Sequence, residues 1–476
     1  MLISNNLDSL NIMRKIFPVI ILLLVLGGCV GPKYTEPDTK LDDQYSNYKY
    51  DTLKNNVDTV LNIEWWSLFN DSQLENLINT ALKENRNILM AAQRVQQARA
   101  ILGFTNADRY PSFNYSAGAM RGNYAAQRVP LSSNFYGNAS LSWELDFWGK
   151  YRAASESARA TLLASDYGLR SVKISIISTV AQTYFTLLDL QNRLEISQKT
   201  LGSRDSAVLI IQQRFNAGLV PEIDLNQAQI NQAQALEAIP LYKRQIAFTK
   251  NALATLVSKT ALTETFTNNI SNIKLLLDIP YGLPSQLLQR RPDILASKEA
   301  YHAQFKQINI AVAQRFPSIS ITGLLGGASN ELTSITTAGL AWNAGAGLLG
   351  PIFNFGKNKR RVEVERAKAK EAFYNYENTV LNSFREVENA LINIQTLKDE
   401  LKAVKMKTVA AMNAERLSKM RYDKGVTSYL EVLDNQRTSF NAQLNLSNTQ
   451  QKLINSYVKL YKALGGGWIS KDEKGL

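Results

Sequence analysis

The chain has 476 residues, of which 45 % are hydrophobic and 20 % charged, a balance that fits two or three ordinary domains and argues against a disordered or fibrous protein. Its formal net charge of +13 would suit a nucleic-acid binder, but the N-terminus carries an export signal, which argues against nucleic acid as a partner. Cys29 is the one cysteine, so no disulfide can form within the chain.

The export signal is the pair Arg14-Lys15 followed by the apolar run Ile16 to Leu26. The run is too short to span a bilayer but suits a signal-peptide core, so residues 1–28 read as a signal peptide. It ends Leu26-Gly27-Gly28-Cys29, which looks like a bacterial lipobox. Cleavage before Cys29 would free its amino group and thiol for acylation. Acyl chains at ~0.8 kcal/mol per buried CH₂ give durable anchoring, and this covalent lipid is the only non-protein group expected. Residues 29–62 are polar, carry Pro32 and Pro37, and read as a lipidated tether.

A first structural repeat is expected over 63–259. It opens on Trp65-Trp66 and Phe69, an aromatic knot. Ser72 and Glu75 fit a capping box, which opens a helix predicted to run to about Ala107 with Leu74, Leu77, Ile78, Ala81 and Leu82 on its buried stripe. Pro111 ends that helix. Phe113, Tyr115 and Ala117 then alternate with polar residues, giving a strand. A second strand is predicted from about Asn138 to Phe147, with Leu141, Trp143, Leu145 and Phe147 on one face and Ser142, Glu144 and Asp146 on the other. In a membrane barrel the first set would face lipid and Ser142, Glu144 and Asp146 the lumen; a one-residue shift would reverse the faces. After Gly149-Lys150 the period becomes helical. Val180, Leu187, Leu194, Leu201, Val208 and Phe215 recur every seven residues, a coiled-coil seam in a proline-free helix of roughly 100 Å. Gly218 caps it, and Pro221 leads into a returning helix.

Residues 260–282 read as a connector, 283–464 as a second repeat and 465–476 as a polar tail. The repeat is explicit. Gly149-Lys150 recurs as Gly356-Lys357 and Gly218 as Gly425, both 207 residues on, and Phe373, Val380, Val387, Ile394 and Leu401 renew the seam. Strands are predicted over about Pro317 to Ala328 and Leu340 to Phe353. Each chain thus offers four strands of the length that crosses an outer membrane. Four strands cannot close a barrel, and open edges are not tolerated in lipid, so the sequence implies an oligomer: two chains give eight strands, three give twelve. The returning helices are rich in amides, among them Asn226, Asn231 and Gln232, then Asn441, Gln443 and Asn448. Such a polar, weakly charged face suits the wall of a water-filled conduit or an outer solvated face.

Leu26-Gly27-Gly28-Cys29 with Gly31-Pro32-Lys33-Tyr34, Trp65-Trp66, Trp143-Glu144-Leu145-Asp146-Phe147-Trp148-Gly149, Leu288-Gln289-Arg290-Arg291-Pro292-Asp293-Ile294 and Tyr429-Leu430-Glu431-Val432-Leu433-Asp434 together resemble the TolC family, and more narrowly the lipidated outer-membrane factors of multidrug efflux pumps. The resemblance implies an α+β membrane protein. It would be a homotrimer sharing one twelve-stranded transmembrane β-barrel, continued by a periplasmic α-helical barrel. It also implies a passive exit channel that works with a periplasmic adaptor (membrane fusion) protein and an inner-membrane transporter of the resistance-nodulation-division type. The exit channel of a type I protein secretion system is the alternative within the family. A non-conducting lipoprotein scaffold is the alternative outside it.

No catalytic constellation stands out, so the chain does not read as an enzyme. His302 is the only histidine, on a predicted helix, and no Cys/His metal spacing is present. The informative cluster is at the second hairpin tip. Glu431 and Asp434 lie three apart on one helical face, and the resemblance places its constricting periplasmic aperture at these positions. Ser428 and Glu431 also fit a capping box, a structural alternative. Asp224 and Tyr422 match latch positions of the family, and Thr427 stands where TolC has a latching arginine. Gly218 and Gly425 mark the hairpin turns. A basic cluster, Lys150, Arg152, Lys357, Lys359, Arg360 and Arg361, sits where strand becomes helix, a place where anionic headgroups would attract cations.

Overall fold

The computed structural model describes residues 30–37, 64–122, 132–273, 288–335 and 339–466. The signal peptide, Cys29, most of the 29–62 tether, the connector beyond Ile273 and the tail beyond Gly466 lie outside the described residues. In chain order the elements are α1 (Ser72–Glu84), α2 (Arg86–Ala107), β1 (Ser112–Gly122), β2 (Ser132–Leu145), α3 (Lys150–Asn216), α4 (Glu222–Leu256), α5 (Pro292–Ala313), β3 (Ser318–Ser329), β4 (Ala341–Leu349), α6 (Lys357–Asp423) and α7 (Tyr429–Ala463). α3 and α6 both have 67 residues, and α4 and α7 both have 35. The starts of these pairs, 150 and 357, then 222 and 429, keep the offset of 207.

Packing does not follow the repeats. Among the described residues, one compact unit draws on the stretches within 30–37, 93–166 and 296–378, and the other on those within 64–92, 167–295 and 379–466. Each therefore draws on both repeats.

The first unit holds a four-stranded antiparallel sheet in the order β1-β2-β3-β4. The predicted β2 ran to Phe147, but the strand ends at Leu145. The reason is Asp146. Its carboxylate accepts the backbone amides of Tyr151 (2.9 Å) and Arg152 (2.8 Å), two of the donors that the first turn of α3 leaves without helical partners. Gly149 makes the bend between strand and helix at φ +76°, a left-handed conformation that glycine adopts without cost, and Gly356 repeats it at φ +82°. On α5 the segment 30–37 finds a seat: Tyr34 stacks on His302 with ring centres 4.1 Å apart, and Glu36 pairs with Lys298 at 2.8 Å. Burial, with Glu299 adding, pushes the Tyr34 phenol up.

The second unit is helical, and its core is built on the predicted seam. Val180, Leu187, Val387 and Ile394 are buried together with Trp65, Tyr184, Phe185, Leu453 and Tyr457. Each such large apolar side chain contributes ~1.5–3 kcal/mol. The aromatic knot is a short 3₁₀ turn, Trp65–Phe69, with Trp65 stacked on Tyr461 at 5.1 Å and Phe69 against Phe185 at 5.0 Å. The predicted capping box at Ser72 is replaced by Asp71, which accepts the amides of Gln73 and Leu74 and the hydroxyl of Tyr184 (2.7 Å). The single helix expected to Ala107 is broken at Asn85. That residue is extended, accepts the amides of Asn87 and Ile88 as the cap of α2, and donates to the Leu256 carbonyl.

The long helices end alike. At α3 the amide of Gly218 donates to the Phe215 carbonyl and that of Leu219 to Arg214; at α6 Gly425 donates to Tyr422 and Val426 to Arg421. Both glycines have positive φ, +73° and +71°. This is the Schellman pattern, which satisfies the last carbonyls of a helix and turns the chain sharply.

Candidate functional site

Cross-strand partners in a sheet point to the same side, so the register sorts the strands into two faces. One face carries Phe113 and Tyr115 of β1, Phe135, Leu141, Trp143 and Leu145 of β2, Ile319, Ile321 and Leu325 of β3, and Trp342 and Leu348 of β4. The other carries Ser112, Asn114 and Ser116, then Asn138, Ser140, Ser142 and Glu144, then Ser320 and Thr322, and Asn343. The apolar face is open in the single chain: Tyr115 is 91 % exposed and Trp342 74 %. Among the described residues β1 and β4 each pair along one edge only. Ser142 and Glu144 lie on the polar face as expected. Asp146 does not, because it has left the strand to hold the start of α3, and Phe147 has left it too.

The basic cluster at the strand-to-helix junction is largely answered from within. The Lys150 ammonium meets Glu144 at 2.8 Å, Arg152 meets Asp146 at 3.3 Å and Arg360 meets Glu363 at 2.7 Å, while Arg361 donates to the Gln314 side chain. These pairs leave fewer free cations for headgroups than the sequence suggested.

At the hairpin tips a small core joins both turns: Ile211, Leu225, Ala228, Tyr429, Val432 and Leu433, flanked by Val208, Phe215, Val220 and Tyr422. Burial, with Tyr422 and Asp224 adding, pushes the Tyr429 phenol up to about 12. The hydroxyls of Tyr422 and Tyr429 are both buried without a hydrogen-bond partner among the described residues. Glu431 does not act as a capping-box residue, since Ser428 makes no side-chain cap bond. Its carboxylate instead takes the Arg421 guanidinium at 2.9 Å and the Thr427 hydroxyl, and its carbonyl accepts from Asn435. Asp434 meets Arg437 at 2.5 Å. Each acid is thus ion-paired inside its own chain. Of the three latch candidates, Thr427 is brought to Glu431. Tyr422 packs between the Arg214 guanidinium, 5.0 Å from its ring centre, and Tyr429, and Asp224 acts on Tyr429 through its field.

Two features escaped the sequence reading. Asn231, read there as part of an amide face for a conduit wall or the solvated outside, is buried and donates to the Leu433 carbonyl and the Gln436 side chain. The Arg290-Arg291-Pro292-Asp293 run is a structural clamp. Arg291 holds Asp293 through Nε (3.0 Å) and Nη2 (2.7 Å), while Nη1 reaches the Ala463 carbonyl and Glu386. The only sequence signal for the clamp was an arginine two residues before a helical aspartate.

The comparisons with known proteins agree with this geometry. A family described as "Outer membrane efflux protein" matches residues 77–258 and again 283–466, one match to each repeat. The chain is 32 % identical over 457 residues to the cation efflux system protein CusC of Escherichia coli O6:H1, covering 95 % of this chain and 99 % of that one. It is 34 % identical over 458 residues to the toluene efflux pump outer membrane protein TtgI of Pseudomonas putida, covering 94 % and 97 %. Among solved structures, the open state of the MtrE outer membrane channel of Neisseria gonorrhoeae matches with a TM-score of 0.84 at 26 % identity, over 92 % of this chain and 98 % of that one. The fold is the TolC-like one of barrel strands joined to long helices, and the family is one of channels rather than enzymes. The chain belongs to the outer membrane efflux protein family, and it is an outer-membrane exit channel of a tripartite efflux pump with a large periplasmic part.

Proposed function

We propose that three copies of this chain close one twelve-stranded barrel, with the Trp143 face to lipid and the Ser142–Glu144 face to a water-filled lumen. The observation that carries the reading is the sheet: one face is apolar and exposed, and β1 and β4 each leave a row of backbone N–H and C=O groups unpaired among the described residues. In lipid such edges cost several kcal/mol per unsatisfied group, and pairing β1 of one copy with β4 of the next removes that cost. Three copies, rather than two, follow from the family resemblance. Cys29 is the proposed lipid attachment site; a relative named a probable outer membrane lipoprotein, SilC of Salmonella typhimurium, supports it.

The proposed partners are a periplasmic adaptor and an inner-membrane transporter of the resistance-nodulation-division type. The cargo is small: the relatives are named for cation, solvent and toluene efflux. Within this reading Glu431 and Asp434 line the periplasmic aperture, and Arg421 and Thr427 hold Glu431 in the resting state. Cysteines at Asn114 and Asn343, on the two edge strands, test the barrel. Oxidation of membranes should give a ladder that stops at three copies. A ladder stopping at two copies, or a stable monomer in detergent, would refute it. Co-purification from native membranes under mild cross-linking should bring down an adaptor and transporter; recovery with an ATP-driven protein exporter instead would favour the secretion reading.

A further inference from the structure

Arg204 lies on α3 and is 2 % exposed. Its Nη1 donates to the Asn231 carbonyl on α4, and its guanidinium lies over the Phe440 ring of α7 with its carbon 5.0 Å from the ring centre. Nε and Nη2 are buried and have no hydrogen-bond partner among the described residues. Arginine stays protonated in proteins even where burial lowers its pKa, as here, so this is a charge withdrawn from water with two donors unsatisfied. Nε and Nη2 form the side-on fork of the guanidinium, whose parallel N–H groups match the two oxygens of a carboxylate. Arg291 of the same chain uses that fork on Asp293. Arg204 presents it without a partner among the described residues.

Arg204 also lines a cavity of about 330 Å³, together with Asn192, Lys199, Ser203, Asn269 and Gln443. Lys199 is committed to Glu195 at 2.6 Å. Glu195, and Glu415 of α6, also line the cavity, and Glu415 attracts Arg204 but is not within ion-pair distance. The internal repeat does not explain this arrangement. The counterpart of Arg204, 207 residues on, is Ala411, and that of Phe440 is Ala233. A charge that only one hairpin carries, desolvated beside a polar cavity, is not a by-product of duplication.

We propose that the Arg204 fork, once its side chain swings the buried Nε and Nη2 into this cavity, forms there a binding site for a small carboxylate-bearing molecule, which would join the first hairpin to the second through Arg204 and Gln443. The test uses the full-length oligomer in detergent and acetate as probe, at constant ionic strength balanced with chloride. Saturation-transfer NMR should show saturable acetate binding. Arg204→Lys keeps the charge and loses the fork, and should weaken binding at least tenfold. Ser203→Asp leaves Arg204 in place, puts a carboxylate into the cavity, and should abolish acetate binding even if Arg204→Lys fails to assemble. Glu415→Gln removes a repelling acid and should tighten binding several-fold. Absence of saturable binding to the unaltered protein overturns the proposal, as does unchanged binding in Arg204→Lys or Ser203→Asp. Binding seen only in Glu415→Gln also overturns it, because the fork would then belong to Glu415.

Discussion

The turn of the first hairpin, Arg214 to Asp224, and that of the second, Arg421 to Glu431, run residue for residue at an offset of 207. Their backbones close with the same pair of hydrogen bonds at Gly218 and Gly425. Their charges part company. In the second turn Arg421 reaches across to Glu431, helped by Thr427; in the first, Val220 replaces Thr427, Arg214 turns onto the Tyr422 ring, and Asp224 has no ion-pair partner among the described residues. Duplication has kept what the backbone needs and let the side chains specialise. The second hairpin holds its acids locally, while the first lends its arginine to the second.

The sharpest way to break the comparison is at Tyr429, buried in the tip core, whose counterpart is exposed Glu222. Tyr429→Ala should destabilise the tip by ~3–5 kcal/mol, whereas Glu222→Ala should change it by less than ~0.5 kcal/mol. Limited proteolysis between 422 and 434 reads this, and equal sensitivity of the two variants would dissolve the distinction. Next come the shared glycines. Gly218→Val and Gly425→Val each force a side chain into left-handed backbone and should each cost ~1–2 kcal/mol, seen as matching losses of thermal stability. Tolerance at one turn alone would mean that the two backbones are not equivalent.

Tyr429→Phe removes a buried hydroxyl that has no partner among the described residues and should stabilise the tip by about 1 kcal/mol. The same phenol makes the tip sensitive to alkali. Its folded pKa is raised to about 12, so its contribution is whole below pH 10 and is lost as pH rises from 10 to 12. Tip proteolysis should increase over that window in the unaltered chain and much less in Tyr429→Phe; the same rise in both would move the cause elsewhere. The smallest stability effect belongs to the ion pair. Arg421→Ala should cost only ~0.2–1 kcal/mol, since both partners are partly exposed, and Arg214→Ala no more than that. Their channels should differ more than their stabilities. Freeing Glu431 should raise cation selectivity in single-channel recordings across a salt gradient, an effect Arg214→Ala lacks. Identical selectivity in the two variants would remove Glu431 from the aperture.

Much of the architecture was legible because it rests on short-range rules. Period-two alternation around Leu141 and Trp143 marked a strand, the seven-residue recurrence from Val180 marked the seam, and Gly149, Gly218 and Gly425 marked bends that need positive φ. Resemblance across Trp143–Gly149 and Leu288–Ile294 carried the family. The errors came where two groups compete for one partner. Ser72 and Ser428 look like caps, but Asp71 reaches the α1 amides better because its other oxygen is held by Tyr184, and Glu431 is drawn off by Arg421. Asp146 continues the alternation in sequence yet serves the first turn of α3.

What the sequence by itself determined is therefore what depends on neighbours along the chain: the duplication, the strands and their faces, the long helices and the glycine turns, all set by backbone sterics and by the repeat of apolar residues. The tertiary structure alone decided which charges are answered. Glu431 with Arg421 depends on how the second hairpin turn folds back, while Arg291 with Ala463 and Glu386, Asn231 with Gln436, and Arg204 left with its fork unpartnered among the described residues depend on helices brought together from distant parts of the chain. Ion pairs and buried hydrogen bonds act over a few ångströms and at fixed angles, so no pattern of spacing along one strand or helix can reveal which of them form.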